Sequence, residues 1–344
     1  MALRMSIAAM SVLAVAAVLV VAGTAAAAAS CPATPPDAGA TLQVSHAFGP
    51  CSPLGAESAA PSWAGFLAEQ AARDASRLLL SYADSSLQAA LSQDTLAVAG
   101  DVVKAYTFGC LQRATGTAAP PQGLLGLGRG PLSFLSQTKD MYGATFSYCL
   151  PSFKSLNFSG TLRLGRNGQP RRIKTTPLLA NPHRSSLYYV NMTGIRVGKK
   201  VVSVPASALA FDPATGAGTV LDSGTMFTRL VAPVYLALRD EVRRRVGAAA
   251  AVSSLGGFDT CYNTTVAWPP VTLLFDGMQV TLPEENVVIH TTYGTTSCLA
   301  MAAAPDGVNT VLNVIASMQQ QNHRVLFDVP NGRVGFARES CTAA

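Results

Sequence analysis

The chain has 344 residues, 49% of them hydrophobic and 13% charged, with a formal net charge of +6. That length supports two units with cores of their own. The positive charge is too modest, and too little interleaved with aromatic residues, for a nucleic-acid-binding stripe. The seven cysteines stand singly with no CxxC pair, and His46, His183, His290 and His323 show no HExxH spacing, so no metal or other cofactor is expected.

Arg4 precedes an apolar run from Met5 to Ala22, and small residues from Ala25 to Ser30 follow. Residues 1–29 thus read as a secretory signal. The run is long enough for a membrane anchor, but its Ala-rich end favours cleavage, after which no membrane association is expected. A secreted chain, extracellular (apoplastic) or vacuolar, would use its cysteines in disulfides, and an odd number leaves one over. Asn157-Phe-Ser, Asn191-Met-Thr and Asn263-Thr-Thr are glycosylation acceptors that fit the same compartment. Residues 30–77 are rich in Ala, Pro and Ser and end in an amphipathic, helix-prone stretch from Trp63 to Arg77. They read as a pro-segment or as a flexible N-terminal arm.

Beyond Leu78 the pattern is β. Gln93–Val98 and Val102–Phe108 flank Gly100-Asp101. Leu187–Val197 and Val201–Val204 flank Gly198-Lys199, and Pro270–Phe275 and Met278–Leu282 flank Asp276-Gly277. Short strands between such turns predict a mainly β fold with few helices. One helix is expected where Val234, Leu238 and Val242 share a face after Pro233, with Arg243-Arg244-Arg245 as its solvated side. The Pro-, Asn-, Gly- and Arg-rich stretch from Arg166 to Ser185 reads as a boundary between two units, residues 78–170 and 171–344.

The chemistry concentrates in Gly218–Leu230. Val220 and Leu221 deliver Asp222 to a turn at Ser223-Gly224, Thr225 follows, and a second apolar stretch begins. Gly224 permits a close backbone approach, and the hydroxyls of Ser223 and Thr225 can orient the carboxylate. Rival motifs fail. Gly126-Leu-Gly-Arg-Gly-Pro131 ends in proline where a dinucleotide loop wants glycine, and Leu221 stands where a G-x-S-x-G elbow needs glycine.

Asp222-Ser-Gly-Thr225 with its apolar flanks resembles the catalytic turn of pepsin-like aspartic peptidases, which carry one such aspartate per lobe. The resemblance covers most of the chain. Tyr82-Ala-Asp-Ser-Ser86 is similar to the flap tip, and Gln122–Ser133 and Phe146-Ser-Tyr-Cys-Leu150 to first-lobe elements. Asn313–Asp328 with Arg333–Ala337 is similar to the closing segment, with Ala316 in place of the usual glycine. These motifs point to the plant nepenthesin-like branch. The resemblance implies a bilobal, mainly β fold and a protease that activates water with two aspartates. Asp222 would be one of them, oriented by Thr225, with Ser223 gripping the opposite lobe and Tyr82 closing over a polypeptide substrate. It implies a monomer, a Cys149–Cys341 bridge and a Cys110 without its partner; Cys261 and Cys298, which flank one hairpin, are expected to pair.

The first catalytic turn is missing. Asp94-Thr95 and Asp259-Thr260 are the only Asp-Thr pairs, and neither is followed by glycine. Only four residues separate Arg77 from Tyr82, where the family places a substantial block. The expectation is therefore a first lobe that lacks a contiguous piece, loosened over residues 78–165, and a family member that is inactive or impaired. The alternative is a non-catalytic binding or inhibitor-like protein on the same scaffold.

Overall fold

The computed structural model describes residues 14–15, 40–45, 77–82, 85–98, 100–115, 123–152, 154–155, 159–247, 250–290, 296–305 and 310–341. Nearly all of the signal and pro-segment stretches, with Cys31, His46, Cys51 and Asn157, lie outside these residues.

The molecule is organised on one eleven-stranded sheet. From one edge it runs Ala40–Ser45, Ser159–Leu164, Thr145–Cys149, His323–Asp328, Arg333–Arg338 and Lys174–Leu179. It continues through Tyr189–Val190, Gly218–Asp222, Leu312–Ala316 and Thr228–Leu230 to Met301–Ala303. Thr145–Cys149, Gly218–Asp222, Leu312–Ala316 and His323–Asp328 are buried along their whole length. Such strands have no solvent face, and Val220-Leu221, Val314-Ile315 and Val325-Leu326-Phe327 accordingly run apolar without alternation.

Strands from distant parts of the chain interlock here. Thr145–Cys149 pairs antiparallel with His323–Asp328. Around them Phe327 stacks on Phe146 with ring centres 4.7 Å apart and tilts against Tyr188 at 4.5 Å. Disulfide Cys149–Cys341 crosses the same seam. Arg324, buried among these strands, donates to Glu339 and to Thr161. A buried guanidinium is tolerable only when so paired. The expected boundary stretch itself contributes the strand Lys174–Leu179, which joins Arg333–Arg338 to Tyr189–Val190.

Two sequence readings are corrected. Leu187–Val197 is not one strand. Tyr189–Val190 belongs to the large sheet, whereas Met192–Val197 pairs with Val271–Phe275 in a separate four-stranded sheet, with a register shift between Met192 and Gly194. The break at Asn191 lets one apolar run serve two layers.

Nor is Arg243-Arg244-Arg245 simply a solvated face of the helix Ala232–Val246. Arg244 and Arg245 clamp the buried carboxylate of Glu241, with Lys200 as a third partner, and Arg243 reaches Asp259 and Thr260. Pairing with Arg244 first, then with Lys200 and Arg245, holds the Glu241 carboxyl far below its ordinary range.

The three-stranded sheet Arg77–Tyr82, Ser85–Val98 and Asp101–Thr115 is built differently. Its two outer strands each pair only with the middle one. Along Asp101–Thr115 only Val103 is buried, and Val102 and Leu111 are more than half exposed. Within residues 78–165, therefore, the thinly covered part is this sheet. Thr145–Cys149 and Ser159–Leu164 are embedded in the large one.

Candidate active site

The strand Gly218–Asp222 runs parallel to Leu312–Ala316, with Asp222 opposite Ala316. The chain then turns and returns as Thr228–Leu230 on the other side of Leu312–Ala316. The two arms of the turn therefore flank one strand and do not pair with each other. Thr225 and Met226 carbonyls accept from the N–H groups of Ser317 (2.8 Å) and Met318 (3.0 Å). Thr228 donates its N–H to Gln319 Oε1 and accepts at Oγ1 from the Ala316 N–H, both at 3.0 Å. Ala316, where the family has glycine, sits at φ −88°, a conformation open to any residue.

Asp222 is 3% exposed. Its Oδ1 accepts from the Gly224 N–H at 2.9 Å and its Oδ2 from Thr225 Oγ1 at 2.5 Å. Burial raises its pKa above the ordinary carboxylate value, and the hydrogen bonds from Thr225 and Gly224 offset only part of that rise. Tyr148, fully buried on the strand Thr145–Cys149, approaches from the other half of the chain. Its hydroxyl donates to Gln320 Oε1. Burial pushes its pKa up, the neighbouring Ser223 hydroxyl opposes this, and the charge of Asp222 adds to it. Ser223 Oγ lies near the Tyr148 hydroxyl, yet it is buried and among the described residues has no partner at bonding geometry.

Among the described residues no second carboxylate bonds Asp222 or influences its titration. Asp94 is exposed and accepts from the Thr95 N–H at 2.7 Å. Asp259 is held by Tyr235, Arg239 and Thr260, a tie between the helix Ala232–Val246 and the strand Phe258–Tyr262. Tyr82 ends its strand opposite Ser85, closing a hairpin, but its side chain lies outside the described part.

Among the other sequence-selected residues, Cys261 is bonded to Cys298, whose strands pair directly, and Cys110 is free. Asn191 lies between two strands with its carbonyl accepting from Asp276, and Asn263 is exposed and accepts from Thr296. Sequence reasoning missed Tyr148, Gln319 and Gln320 as neighbours of the turn. The available signal was the run Gln319-Gln320-Gln321 three residues after the apolar Val314-Ile315-Ala316, because amides in such a place must bond inward. Gln319 donates to the carbonyls of Asn286 and Ala300, and Gln320 to that of Ile315.

Comparison with known proteins agrees with this architecture. Residues 43–166 match the family described as xylanase inhibitor N-terminal, and residues 187–338 that described as xylanase inhibitor C-terminal. Aspartyl protease 25 of Oryza sativa subsp. japonica is 58% identical over 268 residues, covering 76% of this chain and 61% of its own. Aspartyl protease AED3 of Arabidopsis thaliana is 54% identical over 261 residues, covering 75% and 58%. Aspartic proteinase nepenthesin-1 of Nepenthes gracilis is 32% identical over 273 residues, covering 76% and 60%. Among solved structures, basic 7S globulin from soybean superposes with a TM-score of 0.63 at 23% identity, covering 77% of this chain and 74% of that one. That last likeness concerns the fold alone. The chain belongs to the pepsin-like aspartic peptidase family. It spans about three fifths of the length of these curated relatives.

Proposed function

We propose that this chain carries the second-lobe half of an aspartic endopeptidase centre, with Asp222 as its carboxylate, and that by itself it does not hydrolyse peptide bonds. In such a centre two carboxylates share one proton; one form draws a proton from water as the water attacks the carbonyl carbon, and the other gives a proton to the carbonyl oxygen. The observation that carries the reading is the partner set of Asp222. Gly224 and Thr225 orient the carboxylate as the reaction requires, but among the described residues only donors bond to it. The buried Ser223 hydroxyl, which has no partner among the described residues, supports the same view, because it would be the group that grips an opposing turn. Tyr82 would cover a polypeptide substrate. We further assign the chain to the secretory route as a monomer, a reading supported by its N-terminal pattern and by the disulfides Cys149–Cys341 and Cys261–Cys298.

The test is cleavage of a denatured protein at acidic pH by the purified chain, with and without pepstatin, beside Asp222→Asn. No pepstatin-sensitive cleavage is expected. Cleavage abolished by Asp222→Asn would overturn the reading.

A non-catalytic, inhibitor-like role is the second reading, favoured by the xylanase inhibitor description of both matched families. Its check is xylanase activity titrated with the purified chain, and a stoichiometric loss of activity would establish it.

A further inference from the structure

Away from the Asp222 turn, a cleft of about 360 Å³ opens beside the strands Lys174–Leu179, His323–Asp328 and Arg333–Arg338. Residues directly opposed in a sheet share a face, as do residues two apart on one strand. His323 opposes Arg338, Phe336 lies two residues before Arg338, and Lys174 opposes Phe336. The register thus gathers two cations and an aromatic ring on one face. Arg172, two residues before Lys174, adds a third cation to the lining. Val280 completes an apolar floor with Phe336.

Arg172, Lys174 and Arg338 are exposed and form no ion pair among the described residues. Elsewhere Arg239, Arg243, Arg244, Arg245, Arg324 and Arg333 each meet a carboxylate. Among the described residues no Asp or Glu lines this cleft. His323, 3% exposed, lies at its base with Nδ1 against the Gln321 carbonyl at 2.9 Å, and among the described residues its other ring nitrogen takes no hydrogen bond. Three uncompensated cations around an apolar floor, with a spare imidazole nitrogen beneath them, are complementary to one kind of molecule. The volume lies within the range of small-ligand pockets.

We propose that this cleft binds a small amphipathic organic anion, a flat apolar ring bearing a carboxylate or phosphate. The ring would lie on Phe336 and Val280, and the charged group would be taken by Arg172, Lys174 and Arg338. Arginine suits this role because its planar fork matches carboxylate and phosphate oxygens in pairs.

Calorimetric titration of the full chain with phenyl phosphate, benzoate, benzamide and inorganic phosphate tests the proposal. Phenyl phosphate and benzoate should saturate one site, the tighter of the two identifying the preferred head group. Benzamide, which lacks the charge, and inorganic phosphate, which lacks the ring, should bind at least tenfold more weakly. Arg172→Gln combined with Arg338→Gln should weaken the aryl anions at least tenfold, and Thr281→Trp, which fills the cleft from an exposed position, should do the same. Lys139→Gln, an exposed cation outside the cleft, should change nothing. Absence of saturable binding, inorganic phosphate binding as tightly as phenyl phosphate, or indifference to Thr281→Trp would each overturn it.

Discussion

The side-chain amide of Gln137 bonds the backbone of Thr107 in both directions, accepting from its N–H at 2.8 Å and donating to its carbonyl at 2.9 Å. One glutamine thus does what a neighbouring strand would do, at one point on the outer edge of Asp101–Thr115. Among the described residues the rest of that edge has no strand partner. Unpaired edges recruit other chains, and here the exposed Val102 and Leu111 add apolar surface.

Gln137→Ala should therefore destabilise by about 1–2 kcal/mol, the range for stripping partners from a backbone donor and acceptor. Aggregation monitored by light scattering should rise with it. Native-state hydrogen exchange gives the local readout: the Thr107 amide should lose protection while Val271–Phe275 keeps its own. Unchanged protection at Thr107 would show that the glutamine is dispensable.

In the unmutated protein, exchange should be slow through Thr145–Cys149, Gly218–Asp222, Leu312–Ala316 and His323–Asp328. It should be fast through Asp101–Thr115. Stability of local opening follows burial and contact density, and both are high in the first group and low in the second. Equal protection of the two groups would contradict the division drawn here.

Asp222→Asn should stabilise the fold at pH 7. Burial raises the Asp222 pKa, so between the ordinary carboxylate value and the raised one the folded state binds more protons than the unfolded state. Stability from this group is present below that window and declines as pH rises through it. The variant escapes the decline, so its advantage should be present at pH 7 and should vanish near pH 3, below the ordinary carboxylate value. Urea unfolding at both pH values measures this. An equal difference at pH 3 and pH 7 would mean that charge burial is not the cause.

Replacing Cys261 and Cys298 with alanine closes no loop in the unfolded state, and for a separation of 37 residues the expected loss is about 4 kcal/mol. Thermal unfolding under non-reducing conditions tests it. Loss of the Cys149–Cys341 bridge, with a separation of 192, should cost more, about 5 kcal/mol on the same entropic argument.

Glu241→Gln should lower the thermal midpoint at pH 7 by several degrees, with the difference shrinking under acid. The carboxyl is held below its ordinary range, so its contribution is present above the unfolded value and is lost as pH falls through the folded one. A pH-independent difference would point to packing instead of charge.

The mainly β class, the hairpins at Gly100 and Asp276-Gly277 and the Asp222 turn were legible because each rests on local pattern. Turn residues between short apolar runs mark hairpins, and hydroxyls around a carboxylate mark a turn that orients it. The break at Asn191 was not legible, because apolar residues on both sides of one polar residue do not reveal which sheet each half joins. Glu241 was hidden for a related reason. A carboxylate three and four residues before two arginines looks like surface charge until Lys200 closes the cage from another strand. Tyr148 could not be placed beside Asp222 without knowing that Thr145–Cys149 and Gly218–Asp222 lie in one sheet.

The seam between Thr145–Cys149 and His323–Asp328 also sets a schedule. During synthesis Phe146 and Tyr148 leave the ribosome long before Phe327, and the half-cystine at 149 waits almost two hundred residues for its mate. The middle of the sheet is thus assembled last, from contacts of very high sequence separation, which makes closure slow and leaves apolar strands uncovered meanwhile. Clipping the final twelve residues would not trim a tail. It would remove the inner strand Arg333–Arg338 and Cys341, and with them the bond between the two ends of the chain's own history.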